Sequence, residues 1–128
     1  NAIGAQNIGY VAYSSATYPT EKMTMEILPG SGGPTEPGSY SINTMNYATC
    51  GLCITIRTYG QSQNDLQKIF LAKSGDVEIS SMGDDGLFTG TMSNVMFKEV
   101  TLDGLTSVPV LPGESWCIES YSFEAEFP

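Results

Sequence analysis

The chain has no histidine, a single arginine at Arg57 and four lysines among its 128 residues. Without histidine, the usual proton shuttle near neutral pH and the commonest neutral metal ligand are both missing. A serine nucleophile would need lysine as its base, and no Ser-x-x-Lys spacing occurs. The chain is also short to build a cleft and set two carboxylates across it for glycoside hydrolysis. A non-catalytic domain is the expectation. No run approaches the roughly 18 to 20 consecutive apolar residues of a membrane helix, so direct membrane insertion is not expected. Basic residues are few: 5 against 14 acidic ones, a net charge of −9, which opposes nucleic acid and anionic lipid as partners.

What is present is a series of short apolar runs cut by turn residues. Hydrophobic residues make up 41% of the chain, enough for one globular core, and a domain of this size buries roughly two-thirds of its unfolded surface. One domain over residues 1–128 is expected. In the clearest pattern Leu52, Ile54 and Ile56 alternate with Cys53, Thr55 and Arg57, a period of two that turns the even positions inward on a strand. Tyr121, Phe123, Ala125 and Phe127 alternate in the same way with Ser120, Ser122, Glu124 and Glu126. Trp116 and Ile118 have the opposite parity, which predicts a bulge or face switch near Glu119. Further strands are expected at Ile8–Tyr18, Lys22–Leu28, Ser39–Met45, Lys68–Lys73, Val77–Ser81, Leu87–Met92 and Val95–Leu102. Turn signals separate them at Ser74-Gly75-Asp76, Gly83-Asp84-Asp85-Gly86, Asp103-Gly104 and Pro112-Gly113. Gln61–Leu66 suits a short helix or a loop. Strands at this spacing predict an all-β fold, a two-layer antiparallel β-sandwich of jelly-roll or Ig-like type with roughly 8 to 9 strands.

Repeated proline and glycine from Pro29 to Gly38 exclude both helix and ladder pairing. This loop joins residues 1–28, read as an N-terminal strand pair open to exchange with a neighbour, to the rest of the domain. The three cysteines are Cys50, Cys53 and Cys117. If Cys50 to Cys53 is extended, their Cα atoms lie about 10 Å apart, too far for a bridge, and a local bridge would force a turn at Gly51. The expectation is a structural disulfide from Cys117 to one of the other two, which would close a long loop. A redox pair fits poorly, because Leu52–Ile56 reads as strand where such a pair needs a helix start. Zinc would lack ligands with three thiols and no histidine.

No cofactor is required by these residues. Calcium is the cation the acidic turns suit, with Asp76, Asp84, Asp85 and Asp103 as ligand candidates on Gly-flanked backbone, although none matches the EF-hand spacing. Ordinary turns use Asp and Gly without any metal. A glycan is the organic ligand to consider, since Tyr10, Tyr13 and Tyr18 offer rings for stacking on a sugar; core and edge packing explains tyrosine equally well.

The run Phe70 to Ile79 (FLAKSGDVEI), followed by Phe88 to Val95 (FTGTMSNV) and Glu99-Val100-Thr101, resembles β-domains in uncharacterised secreted or lipoprotein-like bacterial surface proteins. There too a Cys-x-x-Cys precedes the run and a cysteine recurs near the C-terminus, as Cys117 does here. The resemblance implies an extracellular or cell-surface setting and brings no catalytic residues. The start Asn1-Ala2-Ile3, without an initiator methionine, agrees with removal of a signal peptide. Two functions follow as expectations. The first is a structural module that assembles with copies of itself or other surface proteins, lending its N-terminal strand to an open sheet edge, with Ile8, Tyr10, Val11, Phe123 and Phe127 as assembly residues. Deleting residues 1–28 is then expected to abolish oligomers and leave a soluble, destabilised domain. The alternative is a monomeric module that recognises a glycan or calcium on clustered loops.

Overall fold

Two strands much longer than the rest organise the molecule. The computed structural model describes residues 8–13, 19–28, 32–44, 46–82, 86–104 and 106–126. They form β1 (Ile8–Tyr13), β2 (Thr20–Ile27), β3 (Gly38–Asn43), β4 (Leu52–Tyr59), β5 (Leu66–Met82), β6 (Leu87–Asp103), β7 (Thr106–Pro109) and β8 (Ser115–Glu126), with a 3-10 turn at Tyr47–Thr49. The fold is all-β. Every pairing is antiparallel, in one eight-stranded sheet of order β1-β2-β4-β5-β6-β7, with β3 attached to β5 and β8 to β6. No helix among the described residues is long and apolar enough to cross a membrane.

The sheet branches because β5 and β6, at 17 residues each, outrun their neighbours. The first half of β5 pairs with β4 through Leu71, and the second half pairs with β3 from Ser74 to Ile79. On the other side, β8 follows β6 from Leu87 to Lys98 and β7 takes over from Val100 to Asp103. The result is a six-strand section and a four-strand section that share one hairpin and curl into a half-barrel around a common core.

A crease divides the two sections, and it explains where sequence patterning misplaces strand ends. Ser74-Gly75-Asp76 is not a turn. It lies inside β5, where the register against β6 shifts between Ala72 and Ser74 and again between Ser74 and Asp76. Gly75 has φ of 135°, which L side chains rarely adopt, and a Cβ there would stand 2.7 Å from the Val95 Cα. Beside it Asn94 takes φ of 52°, a left-handed conformation that asparagine tolerates better than most residues. Buried positions change parity at the same level on β6, from Phe88, Gly90 and Met92 to Val95 and Phe97. On β8 they change from Trp116 and Ile118, which pack on the core, to Tyr121 and Phe123. The face switch expected near Glu119 is therefore present, with the β6–β8 register unbroken. Lys68–Lys73 and Val77–Ser81 are one strand, as are Leu87–Met92 and Val95–Leu102, because the period-two pattern breaks at a crease rather than at a chain reversal.

The core joins Met23, Met25 and Ile27 of β2, Ile54 and Ile56 of β4, Phe70 of β5 and Phe97 of β6 to Val77, Ile79, Phe88, Met92 and Phe123 beyond the crease. Burying each of these side chains contributes roughly 1.5 to 3 kcal/mol. Gly90 leaves room for Phe123, whose ring lies 5.1 Å from that of Phe88. The inward even positions of β4 are as expected, but Cys53 and Thr55 are buried too, at 0% and 2% exposure. The crossover from β3 to β4 lies over that second face, with the Tyr47 hydroxyl donating to Glu26, the register partner of Cys53. Gln61 to Asp65 form a turn held by the Gly60 and Asp65 amides, and β7 occupies a stretch where no strand was expected.

Candidate functional site

The fork where β3 and β4 part company along β5 opens a cleft of about 370 Å³. One wall is the β3 edge, Tyr40 to Thr44; the other is formed by Gly32 and Pro34 and by Thr49 to Leu52. The second wall is braced: the Leu28 amide donates to the Gly51 carbonyl at 2.7 Å and the Gly33 amide to the Leu28 carbonyl at 3.1 Å. Asn46 ties the crossover to β7 by pairing its amide with the Ser107 main chain, Nδ2 to carbonyl and Oδ1 from the amide, both at 3.0 Å. The Ser107 hydroxyl accepts from the Tyr47 amide at 2.9 Å. Ser107 is buried to 5% exposure by this arrangement, and composition alone carried no signal for it.

Along the open wall of the cleft, main-chain hydrogen bonding follows the ladder alternation. The Thr44 amide donates to the carbonyl of Lys73, the residue opposite it when the β3–β5 register is continued. Bonded pairs alternate in an antiparallel ladder, so Ile42 and Tyr40 also bond to β5, whereas the main-chain groups of Ser39, Ser41 and Asn43 point away from it, those of Ser41 and Asn43 toward the fork. The side chains of these three residues are exposed.

The disulfide differs from the expected one. Cys50 bridges Cys53, with Cα atoms 5.6 Å apart, and Cys117 is a free, exposed thiol on β8. Cys50 and Cys53 are not in one extended strand: Cys50 closes the 3-10 turn and the chain bends at Gly51 before β4 starts. The bridge braces the cleft wall to which Cys50 belongs.

The acidic candidates do not converge. Asp76 is exposed on the outer face of β5 opposite Ser93, and Asp103 ends β6 ten residues further along that strand. Asp84 and Asp85 lie outside the described residues. Among the described residues, no group of three or more His, Cys, Asp or Glu is placed to hold a metal ion. Around Asp76 a depression of about 270 Å³ carries Ser39, Ser41, Glu78, Thr91 and Ser93, a polar outer face with hydroxyls from alternate positions on β3 and β6 and carboxylates from β5.

The aromatic and assembly candidates separate. Tyr10 stands in register with Met25 and Tyr13 with Lys22. Ile8 and Val11 are in register with Ile27 and Thr24. Tyr18 and Phe127 lie outside the described residues. Phe123 is no surface residue: at 3% exposure it belongs to the core, because β8 pairs along β6 and turns that face inward. Tyr47 is held above its ordinary pKa near 10, by burial first and then by its hydrogen bond to Glu26.

Four strands have a hydrogen-bonded neighbour on one side only among the described residues: β1, β3, β7 and β8. Comparison with known proteins finds no match, whether a family model, a curated protein or a solved structure.

Proposed function

We propose that this chain is a non-catalytic structural module of an extracellular or cell-surface assembly, which joins copies of itself by strand donation from its N-terminal segment. The observation that carries the reading is the place of β1, outermost in the six-strand section and paired with β2 alone. Its sequence, IGYVAY, has no charge and no proline, so it lacks the features that discourage edge-to-edge association. The disulfide and the resemblance to secreted bacterial β-domains support an oxidising, extracellular setting. The two sections, curling over one core, are read as the incipient layers of a sandwich.

The exchangeable unit is β1 rather than residues 1–28. β2 lies between β1 and β4 and supplies Met23, Met25 and Ile27 to the core, so removing it would take the core apart. The Pro/Gly loop is also no free tether, since Gly33 is bonded to Leu28 and Leu28 to Gly51. The connection that must open is the one between β1 and β2.

Light scattering on a sizing column tests the reading, over a hundredfold concentration range and with calcium or a chelator. The expected result is a mass that rises above 13.7 kDa with concentration, with regular particles in negative stain. Because each copy carries −9, association should strengthen with added salt. A constant 13.7 kDa would overturn the proposal and favour monomeric recognition by the polar outer face around Asp76 and Glu78.

A further inference from the structure

We infer that the acceptor for the donated strand is the β3 edge of a second copy, with β1 of one molecule lying in the fork between β3 and β4 of the next. The inference rests on the strand-donation reading and adds to it the receiving site.

The four open edges differ in what they present. β8 carries Glu119, Glu124 and Glu126, and β7 is four residues long and ends in Pro109. Charge and proline are both devices that blunt an edge against pairing. β3 reads GSYSIN and β1 reads IGYVAY, each six residues without a charge. Between two molecules of net charge −9, like charges set opposite each other cost energy, so contact is favoured where neither surface carries charge. Among the described open edges, β1 and β3 alone combine freedom from charge with freedom from proline.

The cleft also has the form a strand requires. Ser41 and Asn43, which line it, direct main-chain donors and acceptors toward it, the groups that strand addition uses for affinity. Its far wall is held by the disulfide and by the Leu28–Gly51 bond, so the cleft is preformed. A single strand enters a fork where the edge of a whole sheet would meet the second wall, which selects donation of β1 over edge-to-edge stacking. Donor and acceptor are different strands of one molecule. The contact is therefore heterologous and continues from copy to copy, closing into a ring or extending as a filament.

The full chain carrying Ser41→Pro tests the assignment. Proline at this position removes a main-chain donor aimed at the cleft and leaves the β3–β5 bonds in place. The expected result is loss of assembly, with far-ultraviolet circular dichroism and thermal midpoint close to those of the parent. A Ser41→Pro chain that assembles at the parent's concentration overturns the β3 acceptor and leaves strand donation standing. A parent that stays monomeric overturns both. If Ser41→Pro misfolds, two variants on a Cys117→Ser background replace it, one with Val11→Cys and the other with Ser41→Cys. Mixed under mild oxidation, they are expected to give a disulfide-linked dimer at several times the yield of either alone. Equal yields overturn the assignment.

Discussion

At the scale of single residues, close approach and buried hydrogen bonding decide what is replaceable. A Cβ at Gly90 would lie 2.2 Å from the Glu78 carbonyl oxygen and 2.6 Å from the tip of the Phe123 ring. The first contact is with backbone and cannot be relieved by a rotamer change. Gly90→Ala is expected to cost roughly 3 kcal/mol in urea denaturation, the upper part of the range for overpacked cores. A loss under about 0.5 kcal/mol, the level of an indifferent surface change, would mean the strands separate there without strain. Tyr47 sets a pH dependence. Its pKa is raised in the folded state by burial and by the bond to Glu26, so the stability it contributes is complete below its ordinary value near 10 and is lost as pH rises through the folded value. The thermal midpoint of the parent should fall more steeply above pH 10 than that of Tyr47→Phe. Parallel curves would show that the phenol does not ionise against the fold.

At the scale of elements, the crossover from β3 to β4 is a braced strap. It is held by the Cys50–Cys53 bridge, by the Tyr47–Glu26 bond and by the double pairing of Asn46 with Ser107. Closing so short a loop stabilises by about 2 kcal/mol in the chain-entropy account. Cys50→Ser is therefore expected to lose about that much in urea, while Cys117→Ser, at an exposed site on β8, should change stability by less than about 0.5 kcal/mol. A large effect at Cys117 with none at Cys50 would contradict the pairing. The strap also shows why the cysteine spacing misled. Distance along an extended strand excludes a Cys50–Cys53 bridge, and only the 3-10 turn before Gly51 brings the two Cα atoms within reach.

At the scale of the whole molecule, one long hairpin carries two sections, and its crease decides which strands remain open. β4 leaves β5 at Leu71 and β3 joins it at Ser74, so two strands share one edge of β5 end to end, and a cleft opens at the fork between them. The assembly proposed above uses this cleft together with the charge-free β1. Under that proposal, a net charge of −9 keeps copies apart everywhere except at neutral edges.

The amino-acid sequence by itself determined the all-β class, the inward parity of Leu52, Ile54 and Ile56, and the change of face near Glu119, because these follow from the two-residue period of a strand and need no knowledge of neighbours. Tertiary structure decided the rest. Ser74-Gly75-Asp76 has the composition of a turn and became the interior of a 17-residue strand, since Gly75 supplies the φ and the close approach to Val95 that a crease requires. Phe123, expected as an assembly residue, is core because β8 pairs with β6. The fork was invisible in the sequence for the same reason: it exists only where the end of β3 at Asn43 and the start of β4 at Leu52 part beside β5.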